Sequence, residues 1–328
     1  MTDANFSIAR ETPVLLAPMA GISDLPFRAL ALRFGATAVV SEMVASADMV
    51  NAKPSVRARA ELGLDEARTA VQLAGREAHW MAEAARRCAG QGARTIDINF
   101  GCPSKMVTSG LSGSALMREP DHALRLIEAV VAAVDVPVTV KMRLGWDEAQ
   151  LNAPEIARRA EAAGVAMVTV HGRTRCQFYK GRADWRAIAA VKAAVGIPVI
   201  ANGDITGVEE AREALRCSGA DGVMIGRGTR GRPWLAGQVA ALLAGRAPRE
   251  TPSGGELVAL ISEHYEAMLS FYGSELGVRV ARKHLGWYLD AFPDAGSLRR
   301  AMLVATDPAV VLGLIGAGLP ERSVGVAA

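Results

Sequence analysis

Between about residue 14 and residue 240, short runs of aliphatic and β-branched residues alternate with Ala-rich stretches of helical period. The strand-like runs fall at 14–17, 38–42, 70–73, 95–99, 138–142, 167–170, 199–201 and 222–225. Helical patterns lie between most of them, for example at 77–91, 123–134, 154–163 and 184–195. This alternation predicts parallel strands joined by right-handed crossovers. Eight such units fit a TIM (β/α)8 barrel of the α/β class better than an open doubly wound sheet. Two sequence echoes agree with that architecture: Val134-Asp135-Val136-Pro137-Val138 and Val195-Gly196-Ile197-Pro198-Val199 each close a helical stretch and open a strand. Gly92, Gly164 and Gly219 each stop a helical stretch just before a strand.

Residues 247–255, with Pro248, Pro252, Ser253 and two glycines, read as a linker. Beyond it the period is helical at 256–272, 277–289, 298–305 and 308–315. The expected division is a barrel over residues 1–246 and a small helical domain over 247–328.

Composition narrows the function. Half of the 328 residues are hydrophobic, enough for one large domain and a smaller one. The formal charge of +3, from 37 basic and 34 acidic residues, does not by itself mark a nucleic-acid binder. The four cysteines (Cys88, Cys102, Cys176, Cys217) form no CxxC pair and no metal-ligand spacing. No apolar signal core opens the chain, and no apolar run of membrane-spanning length occurs. A cytoplasmic protein with reduced thiols, no metal, no membrane attachment and a monomeric state is the expectation.

The chemistry gathers where the strands end, which in a TIM barrel is the active-site face. Strand by strand the ends carry Ala17-Pro18-Met19-Ala20-Gly21, Gln72, Cys102, Lys141 with Arg143, His171-Gly172-Arg173-Thr174-Arg175, Asn202-Gly203-Asp204 and Gly226-Arg227-Gly228. Glycines after the last two strands let main-chain N–H groups approach an anion, and Arg227 adds a charged donor; together they predict a phosphate site. Tight turns without a ligand would read the same way. A Lys141 ammonium inside a barrel wants an anionic partner. The pyrimidine edge of a reduced flavin would serve, with Gln72 hydrogen-bonding the same ring. A solvated lysine at the strand tip is the plainer alternative.

Cys102 stands just past a strand end, with Gly101 stopping the strand and Pro103 forcing an extended backbone at the thiol. An ordinary thiol, with a pKa of about 8.5, holds its proton at neutral pH and can act as an acid. The competing reading is an inert buried cysteine. The segment from Gly101 to Gly113, with three glycines and four Ser or Thr residues, reads as a mobile loop.

Several of these runs resemble the bacterial tRNA-dihydrouridine synthases. They are Ala17 to Arg28 (APMAGISDLPFR), Ser41-Glu42-Met43, Asp97 to Pro103 (DINFGCP) and Ala201-Asn202-Gly203-Asp204-Ile205. Val140 to Arg143 (VKMR), His171 to Arg175 (HGRTR) and Ala281 to Tyr288 (ARKHLGWY) are similar to the B-type branch. The resemblance spans residues 13–290 in the family's order. It implies an FMN enzyme that reduces the C5–C6 bond of D-loop uridines in tRNA, with position 17 the expected target. NADPH would be the reductant, NADH remaining open. It further implies that Pro18, Met19 and Ala20 line the flavin ring, that Gln72 and Lys141 hydrogen-bond it, and that His171 lies near the phosphate end. On the same resemblance Asn202, Gly203, Asp204, Gly226 and Arg227 would complete the FMN site, Cys102 would be the proton donor, and Asn99 and Arg173 would meet the uracil.

For a chain of such small net charge, tRNA binding has to rest on local clusters. Arg279, Arg282 and Lys283 share one helix at i, i+3 and i+4. The expected barrel rim adds Lys105, Arg143, Arg173, Arg175, Lys180, Arg182, Arg230 and Arg232. Two other readings stay open at this stage: a flavin-dependent oxidoreductase of a free small molecule such as dihydroorotate, and a non-catalytic RNA-binding protein on a retired barrel.

Overall fold

The computed structural model describes residues 12–51, 60–61, 63, 66–292 and 294–319. Eight parallel strands close on themselves: β1 (Val14–Leu16), β2 (Ala38–Val40), β4 (Thr69–Ala74), β5 (Ile96–Phe100), β6 (Val138–Arg143), β7 (Met167–His171), β8 (Val199–Asn202) and β9 (Gly222–Ile225). β1 pairs with both β2 and β9, and the β2–β4 pairing completes the ring. This is the expected TIM barrel, followed by helices.

One strand departs from the expectation. The run at 38–42 pairs with β4 only to Val40, and a two-residue strand, β3 (Val44–Ala45), resumes the pairing. Val40 sits opposite Ala70 and Val44 opposite Leu73, so this side advances four residues against three. The extra residue makes a bulge at Ser41 to Met43, which turns the Glu42 carboxylate onto the Gly21 N–H of the loop after β1.

The barrel's outer layer comprises α1 (Leu25–Arg33), α2 (Ser46–Val50), α3 (Ala78–Gly90), α4 (Lys105–Thr108), α5 (Pro120–Val131), α6 (Ala153–Ala162), α7 (Trp185–Ala194), α8 (Val208–Ser218) and α9 (Leu235–Leu243). Local chemistry sets several ends. Asp24 caps α1 by accepting from the Phe27 N–H at 3.0 Å, and Asp184 caps α7 by accepting from Ala187 at 3.0 Å. Gly219 ends α8 in the left-handed conformation, at φ 65°. The main core fills the space between helices and sheet, with Phe27, Val39, Leu73, Met81, Ile98, Leu126, Val140 and Val170 among its members.

The barrel interior is layered. Leu15, Ala38, Val40, Ala70, Met167, Ile200 and Met224 form a small apolar plug. Further along the strands the same inward face is polar: Gln72 and Asn202 lie two residues beyond Ala70 and Ile200, His171 four beyond Met167, and on β5 and β6 Asn99 and Lys141 follow the polar Asp97 and Thr139. Strand period alone thus carries a polar constellation to the carboxyl end of the sheet.

After an extended segment come α10 (Gly254–Tyr272), α11 (Ser274–Leu289), α12 (Gly296–Val304) and α13 (Pro308–Gly318). Leu257, Ile261, Tyr265, Val278, Leu285 and Leu289 form a second apolar cluster that takes in Leu30, Phe34 and Trp234 from the barrel's α1 and pre-α9 region. Gly277 lets α11 approach α10, since a Cβ there would lie 2.8 Å from the Leu269 Cα. Among the described residues no helix is long and apolar enough to cross a membrane.

Candidate active site

A cleft opens over the polar end of the barrel and has two joined lobes, sharing Pro18, Met19, Lys141, His171, Tyr179, Arg227 and Arg230. The first, about 580 Å³, is walled by the ends of β8 and β9: Asn202, Gly203, Asp204, Gly226 and Arg227, with Arg230 and Arg232. The second, about 440 Å³, is lined by Ala20, Met43, Gln72, Asn99 and the Cys102 turn. All eleven residues expected to bind the cofactor, together with Asn99 and Cys102, line one lobe or the other.

The first lobe is built for an anion. Gly203 has φ +116°, and a Cβ there would stand 2.7 Å from the Ala183 Cβ, so only glycine makes this turn without strain. The Asp204 carboxylate faces its neighbours: it accepts from the Arg173 guanidinium (2.9 Å to one oxygen), from the Ala183 N–H at 2.8 Å and from Arg227 at 3.2 Å. Burial raises this carboxyl, but the Arg173 and Ala183 hydrogen bonds and the Arg227 charge outweigh it and hold it below its usual range. Asp204 therefore orients arginines, and the positive charge is left for a ligand.

Lys141 joins the lobes. Its ammonium donates to the Asn202 Oδ1 at 3.1 Å, while the Asn202 Nδ2 is fixed by donating to the Met224 carbonyl at 2.7 Å. That is the only hydrogen-bond partner of Lys141 among the described residues, and two ammonium hydrogens remain. Burial, with the Arg143 charge adding to it, pushes Lys141 down to about 8, although Asp97 opposes the shift. His171 is held well below its usual range by burial and by Lys141, Arg143, Arg173 and Arg227, so its ring is neutral. An under-partnered buried ammonium beside a glycine-rich turn fits a ligand with an anionic ring edge and a phosphate, as reduced FMN has.

The Cys102 turn is pinned on both sides. Its N–H donates to the Asn99 Oδ1 at 2.9 Å, and its carbonyl accepts from the Ser114 hydroxyl at 2.8 Å. The residue is half-buried and lines the second lobe rather than the core. The segment from Gly101 to Gly113 contains a short helix, α4, at Lys105–Thr108, and runs into a 3₁₀ turn from Gly113 to Arg118.

Two arginines expected on the rim are interior struts. Arg143, 1% exposed, donates to the carbonyls of Gly101, Thr174 and Phe178, each at 2.8 Å. It clasps the Cys102 turn to the loop after β7. Arg173, also 1% exposed, is spent on Asp204 and on the Lys180 and Gly181 carbonyls, at 3.0 and 2.7 Å. It lines neither lobe, and Asp204 and two loop carbonyls hold its guanidinium in place. Arg279, Arg282 and Lys283 lie on α11, outside both lobes. The Lys283 ammonium reaches the loop after β1, where a Cβ on Gly21 would lie 3.1 Å from it.

Tyr179 is a site residue that the sequence reading missed. It lines both lobes and is 52% exposed, with Arg227 over its ring at 4.7 Å and Arg143 at 5.5 Å. Its only sequence signal was an aromatic pair, Phe178-Tyr179, in a basic loop after a strand. Among the described residues no group of three His, Cys, Asp or Glu side chains is placed to hold a metal ion.

Comparison with known proteins places this geometry. Residues 15–315 match the family model described as "Dihydrouridine synthase (Dus)". A "Probable tRNA-dihydrouridine synthase" of Rhodobacter capsulatus is 64% identical over 98% of this chain and 99% of its own length. A protein of the same description from Rhizobium leguminosarum is 57% identical, covering 90% of this chain and 91% of itself. A "tRNA-dihydrouridine synthase B" from Xanthomonas campestris is 47% identical, covering 92% and 91%.

Proposed function

The chain belongs to the dihydrouridine synthase family, and from that premise we propose that it is a tRNA-dihydrouridine synthase that uses FMN and NADPH to reduce D-loop uridines. Position 17 is the expected target. FMN, when bound, supplies hydride chemistry at the C5–C6 bond of uracil, and NADPH restores it. The residues present suit that group: the β8 and β9 turns with Arg227 for its phosphate, and Lys141 for the negative edge of its ring.

The chain's own contribution is binding, orientation and a proton. Asn202 holds the Lys141 ammonium, and burial, with the surrounding positive charges, keeps His171 neutral, so it can bond a ligand without adding charge. Pro18, Met19 and Ala20 give the cleft an apolar wall. Saturating the uracil ring needs a proton at C5, and Cys102 is the acid on the cleft wall. A tRNA uridine reaches such a cleft by leaving its stack, which costs less for a loop nucleotide. Arg279 and Lys283 on α11, with Lys105, Lys180 and Arg182 on the rim, are the proposed phosphate contacts.

One observation carries the reading: the Cys102 turn and the Lys141 ammonium line the same lobe of one cleft. The test pairs Cys102→Ala with the unaltered protein. The variant should keep its FMN and its NADPH oxidation, and lose about 10²–10⁴ in dihydrouridine formation on unmodified tRNA. Undiminished product would remove Cys102 from the reaction. Turnover of free uridine or dihydroorotate in place of tRNA would overturn the substrate assignment. Mass spectrometry of tRNA from cells lacking the protein, read position by position, fixes the target uridine.

A further inference from the structure

A buried chain of hydrogen bonds runs behind the second lobe. The Thr139 hydroxyl donates to the Asp97 Oδ1 at 2.6 Å, and the Gln72 Nε2 donates to the Asp97 Oδ2 at 2.7 Å. The Asn99 Nδ2 donates to the Gln72 Oε1 at 2.7 Å. The Asn99 Oδ1 in turn accepts from the N–H groups of Gly101, at 3.1 Å, and Cys102, at 2.9 Å. Every member sits on β4, β5 or β6 or in the turn that follows β5. Asp97, 3% exposed, does not line the cleft.

The chain has a direction, and both ends impose the same one. Main-chain N–H groups can only donate, so Asn99 must turn its oxygen to the Cys102 turn and its NH₂ to Gln72. An ionised carboxylate can only accept, so Gln72 must turn its NH₂ to Asp97 and its oxygen to Asn99. Each amide nitrogen keeps one further hydrogen, and both residues line the lobe. A flipped chain would set the Asn99 NH₂ against two main-chain N–H donors, leaving buried groups unpaired.

We propose that Asp97 is a positioning residue: its carboxylate fixes the direction of the Gln72–Asn99 amide pair, and so holds the Cys102 turn and makes the lobe wall a hydrogen-bond donor toward the carbonyl-bearing edge of a ring ligand. Only the identity of that ring rests on the proposed function; the hold on Cys102 does not. Burial pushes Asp97 up to about 6, against the hydrogen bonds from Gln72 and Thr139 and the nearby Lys141 charge. It therefore carries the needed negative charge at neutral pH.

The test moves the charge by one link. Asp97→Asn keeps the shape but removes the charge, so the main-chain N–H groups alone are left to set the direction, and an NH₂ turned toward Gln72 opposes it. Asp97→Asn combined with Gln72→Glu puts a carboxylate at position 72. That carboxylate accepts from the new amide at position 97 and from Asn99, and so restores the Asn99 orientation. Amide hydrogen exchange at Cys102, read in the full-length flavin-loaded protein, should quicken about fivefold in the single variant, as expected for one lost hydrogen bond. It should return toward the original rate in the double variant. Thr139→Val, which leaves the Gln72 bond to Asp97 in place, should leave the Cys102 exchange unchanged. Uridine reduction should fall in Asp97→Asn more than flavin reduction by NADPH does. Unchanged exchange in Asp97→Asn, or a double variant that is no better than the single one, overturns the proposal. If the single variant fails to fold, the double one decides: recovered folding with normal Cys102 exchange supports it, and failure of both assigns Asp97 to packing alone. Loss of tRNA specificity with this exchange pattern intact would count against the proposed function only.

Discussion

Lys141 is an ammonium inside a barrel with one hydrogen-bond partner among the described residues, a poor arrangement for stability and a good one for holding an anion. Its depressed pKa sets a sign. Below about pH 8 both the folded and unfolded chains carry the charge, and the folded one bears the full cost of burying it. As pH rises from there toward the usual lysine value near 10.5, the folded state loses its proton first and the cost fades. Lys141→Met should therefore stabilise the flavin-free protein by on the order of 2 kcal/mol at pH 7. That gain should shrink toward pH 10, and flavin should bind the variant more weakly. Thermal melts across pH with and without FMN check all three, and a variant less stable at pH 7 would contradict the argument. At this scale the sequence was a good guide to what enters the cleft, because strand period decides which side chains face inward. It was a poor guide to Arg143 and Arg173. Both read as rim cations, yet carbonyls of loops up to 42 residues away in sequence turn inward to meet them. No local pattern encodes such wrapping.

Among the elements, the junction of α1 with α10 has the clearest consequence. A single carboxylate, Asp24, caps α1 with one oxygen and accepts from the Tyr272 hydroxyl at the end of α10, at 3.0 Å, with the other. Burial pushes Asp24 up to about 6, partly offset by the Phe27 N–H and the Tyr272 hydroxyl. Tyr272→Phe should cost about 1.5–3 kcal/mol at pH 7.5, where the acceptor is charged. The cost should lessen below pH 6, where Asp24 holds a proton. Urea unfolding at both values tests this, and an equal loss at each would show that the carboxylate's charge is irrelevant. The elements themselves were largely legible: the run at 77–91 became α3, 184–195 became α7, and 256–272 became α10 with changes only at the ends. The bulge at Ser41 to Met43 was not, since it arises from a register mismatch with β4 that neither strand reveals alone. The turn from Gly101 to Gly113 read as mobile because of its small residues. Its small hydroxyl residues also make bonds that composition does not reveal: the Thr108 hydroxyl donates to the Ser104 carbonyl, and the Ser114 hydroxyl just beyond the turn donates to the Cys102 carbonyl.

For the molecule as a whole, a net charge of +3 has to be reconciled with a polyanionic substrate. Many basic residues are already neutralised: Arg33, Arg86, Arg87, Arg159, Lys192, Arg212, Arg216 and Arg299 sit in ion pairs with Asp or Glu. Arg279 and Lys283 on α11, Lys105 next to the cleft-lining Ser104, and Lys180 and Arg182 in the loop that carries Tyr179 have no ion pair among the described residues. The Lys283 ammonium beside Gly21 carries this unpaired charge from the helical segment to the loop that continues from the cleft wall. A phosphate backbone lying across that line would displace counterions at each contact, so binding should weaken steeply with salt. Replacing Arg279 and Lys283 with alanine should weaken tRNA binding at low salt and reduce the slope of log K against log salt by about one per lost contact. Neither residue lines the flavin lobes, so FMN content should not change. An unaltered slope would move the RNA to another face, and a loss of flavin would mean that α11 braces the barrel instead of meeting the RNA.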